Sequence, residues 1–248
     1  MRISPTFLVL LGILIGIAGC TPIGNDVARK VVPDQQNEAR IDNPDQVAET
    51  AGFAEPVLDA STRRAIQLYG PMIRANAERY GIDWRLVLAM IKQESRFSPD
   101  AASSKGALGI MQLMPFTGEE VARDLDLQDL THPKDNIHGG VFYFRRLYDM
   151  FEGPDDTERL KLALAAYNAG VGRIYDAQEV AAYLHDNPTR WQSIKDALPL
   201  LSKRYYTLHR SIWRQDKPKA GWFGNGGETV AYVDHVMRYY DEFRLLLN

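Results

Sequence analysis

The chain has 248 residues, of which 45% are hydrophobic, and this is enough apolar material to bury one sizeable core. Its formal net charge is −3, with 29 Lys and Arg residues against 32 Asp and Glu residues. A strong basic excess is expected of a nucleic-acid-binding domain, so the composition argues against a nucleic-acid partner.

The first twenty residues form an element of their own. An apolar stretch over residues 7–17 follows Arg2 and is too short for a comfortable membrane span. It ends in Ala18-Gly19-Cys20, which holds the only cysteine of the chain. This ending resembles a bacterial lipoprotein signal and predicts a signal peptide over residues 1–19 and a lipidated Cys20. An ordinary secretory signal with a chance cysteine is the alternative.

The residue after that cysteine bears on location. Thr21 stands where Asp would direct retention in the inner membrane. The similarity to Gram-negative lipoproteins therefore implies a protein that faces the periplasm. It would be attached to the outer membrane through its lipidated N-terminus.

The chain then divides into a polar stretch and a helical domain. Residues 20–60 contain four prolines and few clustered apolar residues, which predicts a flexible tether; a short helix docked on the domain is the alternative. From residue 61 the pattern is helical nearly throughout, so we expect one domain over residues 61–248. Ser61 and Thr62 are candidate caps of its first helix.

A glutamate at the end of a predicted helix has an unusual setting. The apolar residues of the run 84–93 fall at i, i+3, i+4 and i+7, the spacing of one buried face: Trp84, Val87, Leu88 and Ile91. Glu94 continues this stripe, and a desolvated carboxyl that stays protonated near neutral pH can act as a general acid. The alternative is a glutamate at a frayed helix end that turns to solvent.

Three sequence blocks point to one family. The first runs from Glu94 to residue 99 and on through residues 103–115, the second covers residues 163–170, and the third contains Glu228-Thr229 and Tyr232-Val233. In this order they resemble the catalytic domain of the soluble-type lytic transglycosylases, a lysozyme-like family that cleaves peptidoglycan. The resemblance implies a mainly α, goose-type lysozyme-like fold with at most a small β-hairpin.

The sequence shows one similarity to a subgroup of this family and two departures from the family pattern. The block 198–203 and the following Tyr205-Tyr206 are similar to the catalytic module of the family's membrane-bound F-type members. Ile110 stands where the family usually has Leu, and Val230 stands where many members have Arg. A contact made by that Arg is therefore not expected here.

The chemistry of glycoside cleavage usually requires two carboxyl groups. No Asp or Glu falls between Asp100 and Glu119, the stretch expected to form the cleft wall opposite Glu94. In the family that this chain resembles, the C6 hydroxyl of N-acetylmuramic acid attacks its own anomeric carbon. The resemblance thus implies that Glu94 serves twice, first as general acid and then as general base.

The resemblance also assigns residues of the first block to the substrate. Ser103 and Gln112 would hydrogen-bond sugar or acetamido groups, and Met114 would press an apolar surface on a sugar ring. The alternatives are a turn-forming serine and a core methionine.

The second and third blocks supply further candidates. Tyr167 and Asn168 end a helix with a buried face, and we expect the Tyr167 hydroxyl to hydrogen-bond Glu94. Glu228 opens the last helix, where a glutamate is expected for the helix dipole alone. The resemblance gives it a supporting role in the cleft; plain core packing is the alternative for Tyr167.

A basic, aromatic-rich run over residues 203–214 has two interpretations. It favours a helix face that buries Tyr205, Leu208 and Trp213, and a surface that binds an acidic polymer is the alternative.

The expected partners follow from these motifs. The five histidines are scattered and no His-Glu-x-x-His pattern occurs, so we expect neither a metal nor another cofactor. The expected partners are peptidoglycan glycan strands, a membrane through the lipidated N-terminus, and unspecified cell-wall or secretion machinery. The competing functions are a hydrolytic goose-type muramidase and a catalytically silent glycan-binding or scaffold protein.

Overall fold

The computed structural model describes residues 57–247, which form nine α-helices. The predicted signal peptide, Cys20 and most of the predicted tether lie outside the described residues. The helices are α1 (Ala60–Tyr80), α2 (Trp84–Ser95), α3 (Pro115–Leu125), α4 (Pro133–Asp149), α5 (Asp156–Ala169), α6 (Val171–Tyr183), α7 (Trp191–Ala197), α8 (Tyr206–Ile212) and α9 (Gly226–Leu246). Two short 3₁₀ turns, Leu198–Leu201 and Lys203–Tyr205, lie between α7 and α8.

The predicted mainly α fold is confirmed. Within residues 57–247 the β-structure consists of two isolated antiparallel bridges, Ala102 with Leu108 and Leu108 with Leu113. Leu108 and Leu113 exchange both backbone hydrogen bonds at 3.0 Å, so the small hairpin is reduced to one tight turn. No helix of the described part is both long and apolar enough to cross a membrane.

Helix α2 lies at the centre of the core. All of its residues from Leu86 to Ile91 are buried, because α9 packs on one side and α1 on another. A helix that is apolar around most of its circumference has to be enclosed in this way. The burial is therefore wider than the single stripe predicts, and it places Glu94 at the point where α2 leaves the core.

The helix ends follow the expected capping chemistry, with one exception. The Asp83 carboxylate accepts a hydrogen bond from the Arg85 amide at 2.9 Å and caps α2, and Gly81 closes α1 at φ 63°. The cap of α1 is neither Ser61 nor Thr62 but Asp59, whose carboxylate accepts from the Thr62 amide at 2.8 Å. The same carboxylate pairs with Lys92 of α2 at 2.8 Å.

One buried asparagine fixes the loop that precedes α3. The Asn136 side chain of α4 is fully buried; its Oδ1 accepts from the Met111 amide at 2.7 Å. Its Nδ2 donates to the carbonyls of Leu108 and Leu130 at 3.1 and 2.8 Å. Gly109 has φ 79° and lies against Asn136, with no room for a Cβ atom. The loop is thus held to α4 at several points.

Residues 202–222, called the lobe below, connect the 3₁₀ turn Leu198–Leu201 to the loop before α9, and they contain α8. The lobe is closed at its base by a hydrogen bond of 3.0 Å from the Phe223 amide to the Leu201 carbonyl. The buried Asp176 of α6 anchors it by accepting from the amides of Lys219 and Ala220 at 3.0 and 2.8 Å. This hydrogen bonding explains why a carboxylate is tolerated inside, and burial raises its pKa.

The lobe contains the basic aromatic run. Trp213 is buried as predicted, whereas Tyr205 and Leu208 are only partly buried. The basic residues of the run, including Lys203 and Arg204, are exposed.

Candidate active site

An open cleft of about 600 Å³ lies where three loops meet. Its walls come from the loop before α3, from the junction of α5 and α6, and from the loop that leads into α9. The predicted residues that line it are Gln112, Met114, Tyr167, Asn168 and Glu228. The structure therefore brings together residues from all three sequence blocks.

Glu94 is partly exposed and is not part of this lining, but it lies close enough to the lining residue Tyr167 for its charge to act on it. Its Oε1 accepts a hydrogen bond of 2.6 Å from the Tyr232 hydroxyl. Tyr232 follows Glu228 and Thr229 on α9, and both of these residues line the cleft. Spacings of three and four residues place the three side chains on one side of that helix, so the contact connects Glu94 to the cleft wall.

The environment of Glu94 favours its neutral form. Burial raises the pKa of Glu94 to about 7, and the hydrogen bond from Tyr232 opposes this shift by stabilising the carboxylate. Desolvation prevails because the helix end lies against the core. A carboxyl with this pKa is protonated in about half of the molecules at neutral pH, as a general acid requires.

The predicted hydrogen bond between Tyr167 and Glu94 is wrong. The Tyr167 hydroxyl instead donates to the Met111 carbonyl at 2.8 Å, and its ring packs on Tyr143 with the ring centres 5.5 Å apart. A hydroxyl has only one proton to donate, so this bond commits Tyr167 to the loop before α3. The two groups are nevertheless near enough that the charge of Glu94 adds to the effect of burial in raising the pKa of Tyr167.

Tyr232, which holds Glu94 in place of Tyr167, was missed as a site residue. It stands in the third sequence block, and its position three residues after Thr229 and four before Val236 puts it on a buried helix face. A buried tyrosine hydroxyl requires a partner, so the pattern contained a usable signal. The sequence offered two such tyrosines and nothing that ranked them.

The residues of the first block occupy different positions. Gln112 lines the cleft, but its Nε2 donates to the carbonyls of Ala101 and Gly109, both at 2.9 Å, so the amide nitrogen braces the loop. Met114 is 43% exposed and presents its side chain to the cleft, as expected for a surface that contacts a sugar ring.

Ser103 does not line the cleft. Its Oγ accepts from the Ala107 amide at 3.0 Å and shapes the turn that precedes the leucine bridge. This is the turn-forming role that was its alternative interpretation. Lys105 of the same turn is the residue that reaches the cleft lining.

Asn168 and Glu228 form part of the opposite wall. The Asn168 Oδ1 accepts from the Thr229 hydroxyl at 2.9 Å, which ties the end of α5 to the first turn of α9. Glu228 is exposed, and its carboxylate accepts from the Asn225 amide group at 2.6 Å. Their roles toward a substrate stay predictions.

The backbone around the site is strained. Arg96 and Phe97, which directly follow the helix of Glu94, both have positive φ, at 51° and 67°, and Gln112 has φ 51°. Such values are costly for a bulky residue such as Phe, and strain of this kind concentrates at functional sites. It turns the chain sharply directly after the helix that carries Glu94.

The other depressions and acidic groups of the described residues are less suited to catalysis. A shallow depression beside α6 contains Asp176, but both backbone hydrogen bonds of that carboxylate serve the lobe. Across residues 57–247, no three His, Cys, Asp or Glu side chains are grouped in a way that could hold a metal ion.

Fold and site together define a helical, lysozyme-like domain with one carboxyl of raised pKa beside an open cleft. Residues 71–188 match the family model described as the transglycosylase SLT domain. Residues 71–188 of the helical domain are therefore similar to the transglycosylase SLT family, as the sequence blocks predicted.

Individual relatives are consistent with this assignment. The chain is 37% identical over 174 residues to a protein of Desulfosudis oleivorans named membrane-bound lytic murein transglycosylase F, covering 70% of this chain and 36% of that protein. A protein of the same name from Alcanivorax borkumensis is 37% identical over 179 residues, covering 71% and 35%. The chain thus spans about a third of the length of these curated relatives.

A solved structure supports the fold. The 70-kDa soluble lytic transglycosylase of Escherichia coli superposes with a TM-score of 0.52 at 22% identity, over 75% of this chain and 26% of that enzyme. At this level of identity the likeness concerns the fold alone.

Proposed function

We propose that this protein is a peptidoglycan lytic transglycosylase. It would cleave the β-1,4 bond between N-acetylmuramic acid and N-acetylglucosamine and leave 1,6-anhydro-N-acetylmuramic acid ends. The observation that carries the proposal is the setting of Glu94: a carboxyl with a pKa of about 7, held by Tyr232 and close to Tyr167, which lines an open cleft.

In the first step Glu94 donates its proton to the oxygen that bridges the two sugars. The bond between the anomeric carbon and that oxygen breaks, and its electron pair stays with the leaving sugar. The carboxylate that results is stabilised by the hydrogen bond from Tyr232.

In the second step the C6 hydroxyl of the same N-acetylmuramic acid attacks the anomeric carbon. Its proton passes to the Glu94 carboxylate, which restores the acid, and no water is consumed. An internal nucleophile of good geometry has a large effective molarity, on the order of 7–11 kcal/mol of the barrier. The reaction therefore needs no second carboxylate.

The hydrolytic alternative requires a second carboxylate that activates water or attacks the sugar. Glu228 is the one acidic residue among those that line the cleft in the described part of the chain. Its carboxylate is bound by Asn225 at the exposed start of α9, which suits a role in shaping the rim. A silent scaffold is disfavoured because a buried neutral acid has a cost that packing alone does not explain.

Mass analysis of muropeptides tests the proposal. The purified protein should release fragments that are lighter by one water than the hydrolytic products of the same strands. Glu94→Gln keeps the shape and lacks the transferable proton, so it should release almost nothing. The matched control is Glu119→Gln, which changes an exposed glutamate of α3 and should cleave like the wild type.

We also propose that the protein is attached to a membrane through acylated Cys20. The support is the lipoprotein-like signal in the sequence and the word membrane-bound in the names of its relatives. The outer membrane, with the domain facing the periplasm, is the location that Thr21 favours. In the host, the wild type should incorporate labelled palmitate and fractionate with membranes, and Cys20→Ala should do neither. An unlabelled wild type in the soluble fraction would refute the anchor.

A further inference from the structure

We propose that one wall of the cleft binds the carboxylates of the stem peptides carried by the glycan strand. This wall, called the cationic wall below, consists of the lining residues Arg173, Trp222 and Phe223 together with Lys203, which lies over the Trp222 ring. The proposal rests on the proposed function and names a feature of the substrate that the same cleft recognises.

The geometry places two cations on consecutive aromatic rings. Trp222 and Phe223 both line the cleft, directly before α9. The Lys203 Nζ lies 5.1 Å from the centre of the Trp222 ring, and the Arg173 guanidinium carbon lies 4.8 Å from that of Phe223. These distances are within the range of cation–π attraction, so the rings hold both charges at the cleft edge.

Both cations have bonding capacity left. Neither Arg173 nor Lys203 forms an ion pair with any residue of the described range 57–247. One terminal nitrogen of Arg173 donates to the Ala169 carbonyl, whereas its Nε is buried without a hydrogen-bond partner. Because the Nε is enclosed, a carboxylate would meet this guanidinium at a terminal nitrogen, and a planar guanidinium in the cleft lining is well suited to a planar anionic group.

The chain segment around Lys203 is also rich in positive charge. Residues 203–219 contain six basic residues and one acidic residue, in a chain whose net charge is −3. The lobe that carries them lies beyond residues 71–188, the part matched by the family model. It therefore adds a local positive field to the family's domain, and such a field raises the encounter rate with anionic ligands.

A stem peptide is the occupant that fits these observations. It branches from N-acetylmuramic acid, so a glycan strand in the cleft presents the peptide's free carboxylates beside the cleft walls. The rings beneath Lys203 and Arg173, Trp222 and Phe223, line the cleft. Lys105 is a further cation of the lining. This continuity with the cleft favours a substrate group over a separate anionic surface such as a lipid bilayer.

The test compares two forms of the same substrate. Glycan strands with their stem peptides, and strands from which an amidase has removed them, are cleaved by the purified full-length protein at low salt. The wild type should show a lower KM for the peptide-bearing strands, and this preference should weaken as salt is added.

Substitutions test which residues cause the KM preference for peptide-bearing strands. Lys203→Gln removes one exposed charge and should reduce the KM preference by about two- to fivefold, the value of one exposed ion pair. Arg64→Gln is the matched control, since it removes an exposed charge of α1 away from the cleft lining and should keep the preference. Arg173→Gln combined with Lys203→Gln should abolish it; thermal unfolding shows whether that double variant is folded.

Each outcome has one meaning. Equal KM values for the two substrates in the wild type, or an undiminished preference in Lys203→Gln, would overturn the cationic wall while leaving the transglycosylase intact. Loss of cosedimentation with anionic phospholipid vesicles in Lys203→Gln, with the substrate preference intact, would assign the charges to a membrane instead. Failure of the wild type to cleave either form of the strands would remove the proposed function itself.

Discussion

At the scale of single residues, two opposing effects set the behaviour of Glu94. Burial at the end of α2 favours the neutral acid, and the Tyr232 hydroxyl favours the anion. In the proposed mechanism this balance suits a group that gives up a proton in one step and recovers it in the next. In that mechanism the hydrogen bond to the carboxylate would lower the cost of the first step, and burial would keep about half of the molecules protonated at neutral pH.

Removing the Tyr232 hydroxyl should therefore change the pH dependence in a defined direction. Tyr232→Phe leaves the burial of Glu94 in place and removes the group that lowers its pKa. We expect a lower rate and an alkaline limb of the pH–rate profile that moves up by as much as about one pH unit.

Tyr167→Phe is the control for this prediction, because its hydroxyl binds the Met111 carbonyl and not Glu94. It should lower the rate by loosening the loop, with an alkaline limb that moves less. An unshifted profile in Tyr232→Phe would show that the 2.6 Å contact has no influence on the acid.

The raised pKa also has a consequence for stability. Between pH 4.5 and about 7 the folded protein holds a proton on Glu94 that the unfolded chain has released, so the free energy of unfolding falls as pH rises. The loss is complete above about pH 7 and amounts to about 3 kcal/mol at most. The glutamine in Glu94→Gln does not titrate. The melting temperature of this variant should therefore rise relative to that of the wild type as the pH increases from 4 to 8.

An exposed glutamate provides the comparison for this measurement. Glu78→Gln changes a solvent-facing residue of α1 and should follow the wild type at every pH. If Glu94→Gln and the wild type kept a constant difference across this range, Glu94 would have an ordinary pKa.

The sequence alone could identify Glu94 but not its partner. The apolar stripe of α2 continues into Glu94, and this local periodicity predicts burial and a raised pKa. The choice between Tyr167 and Tyr232 depends on how α5 and α9 approach α2, which no local pattern encodes. Ser103 shows the same limit, since its block predicts a cleft residue and its hydroxyl instead closes a turn.

At the scale of elements, the loop before α3 depends on α4 for its shape. Asn136 provides three hydrogen bonds to backbone groups of Met111, Leu108 and Leu130. The loop in turn places Gln112 and Met114 in the cleft, so a side chain outside the cleft controls two residues that line it.

Asn136→Ala should unfold more easily and cleave more slowly. Three buried backbone groups would lose their partner, which should cost about 3 kcal/mol in the free energy of unfolding. The matched control is Asn76→Ala in α1, where one hydrogen bond to the Met72 carbonyl is lost and about 1 kcal/mol or less is expected. Equal losses in urea unfolding would mean that Asn136 is an ordinary helix residue.

Capping and periodicity predicted the helices better than the loops. Asp83 and Gly81 act as expected because capping is decided by residues within one turn. The contact of Asn136 with Met111 spans 25 positions, and the left-handed backbone at Phe97 contradicts local preference. Both are set by the assembled core, so the sequence could not reveal them.

At the scale of the whole molecule, the helical domain reaches further toward the N-terminus than residue 61. The Asp59 carboxylate caps α1 and pairs with Lys92 of α2, the helix that carries Glu94. A shortened protein that begins at Val57 should fold and cleave soluble strands. One that begins at Ser61 should lose about 1–2 kcal/mol of unfolding free energy with its cap.

A conservative variant separates the two roles of Asp59. Asp59→Asn keeps a capping side chain and loses the exposed ion pair, so calorimetry should find it close to the wild type in melting temperature. A large loss in Asp59→Asn would mean that the ion pair to Lys92, not the cap, joins the two helices.

In the proposed mechanism one carboxyl and an internal nucleophile suffice, so water takes no part in bond cleavage. The most direct measurement is digestion of purified glycan strands by the wild-type protein in water enriched in the heavy oxygen isotope, followed by mass spectrometry of the new ends. We expect 1,6-anhydro ends with no isotope incorporated. New reducing ends that carry the heavy oxygen would contradict it and identify a hydrolase.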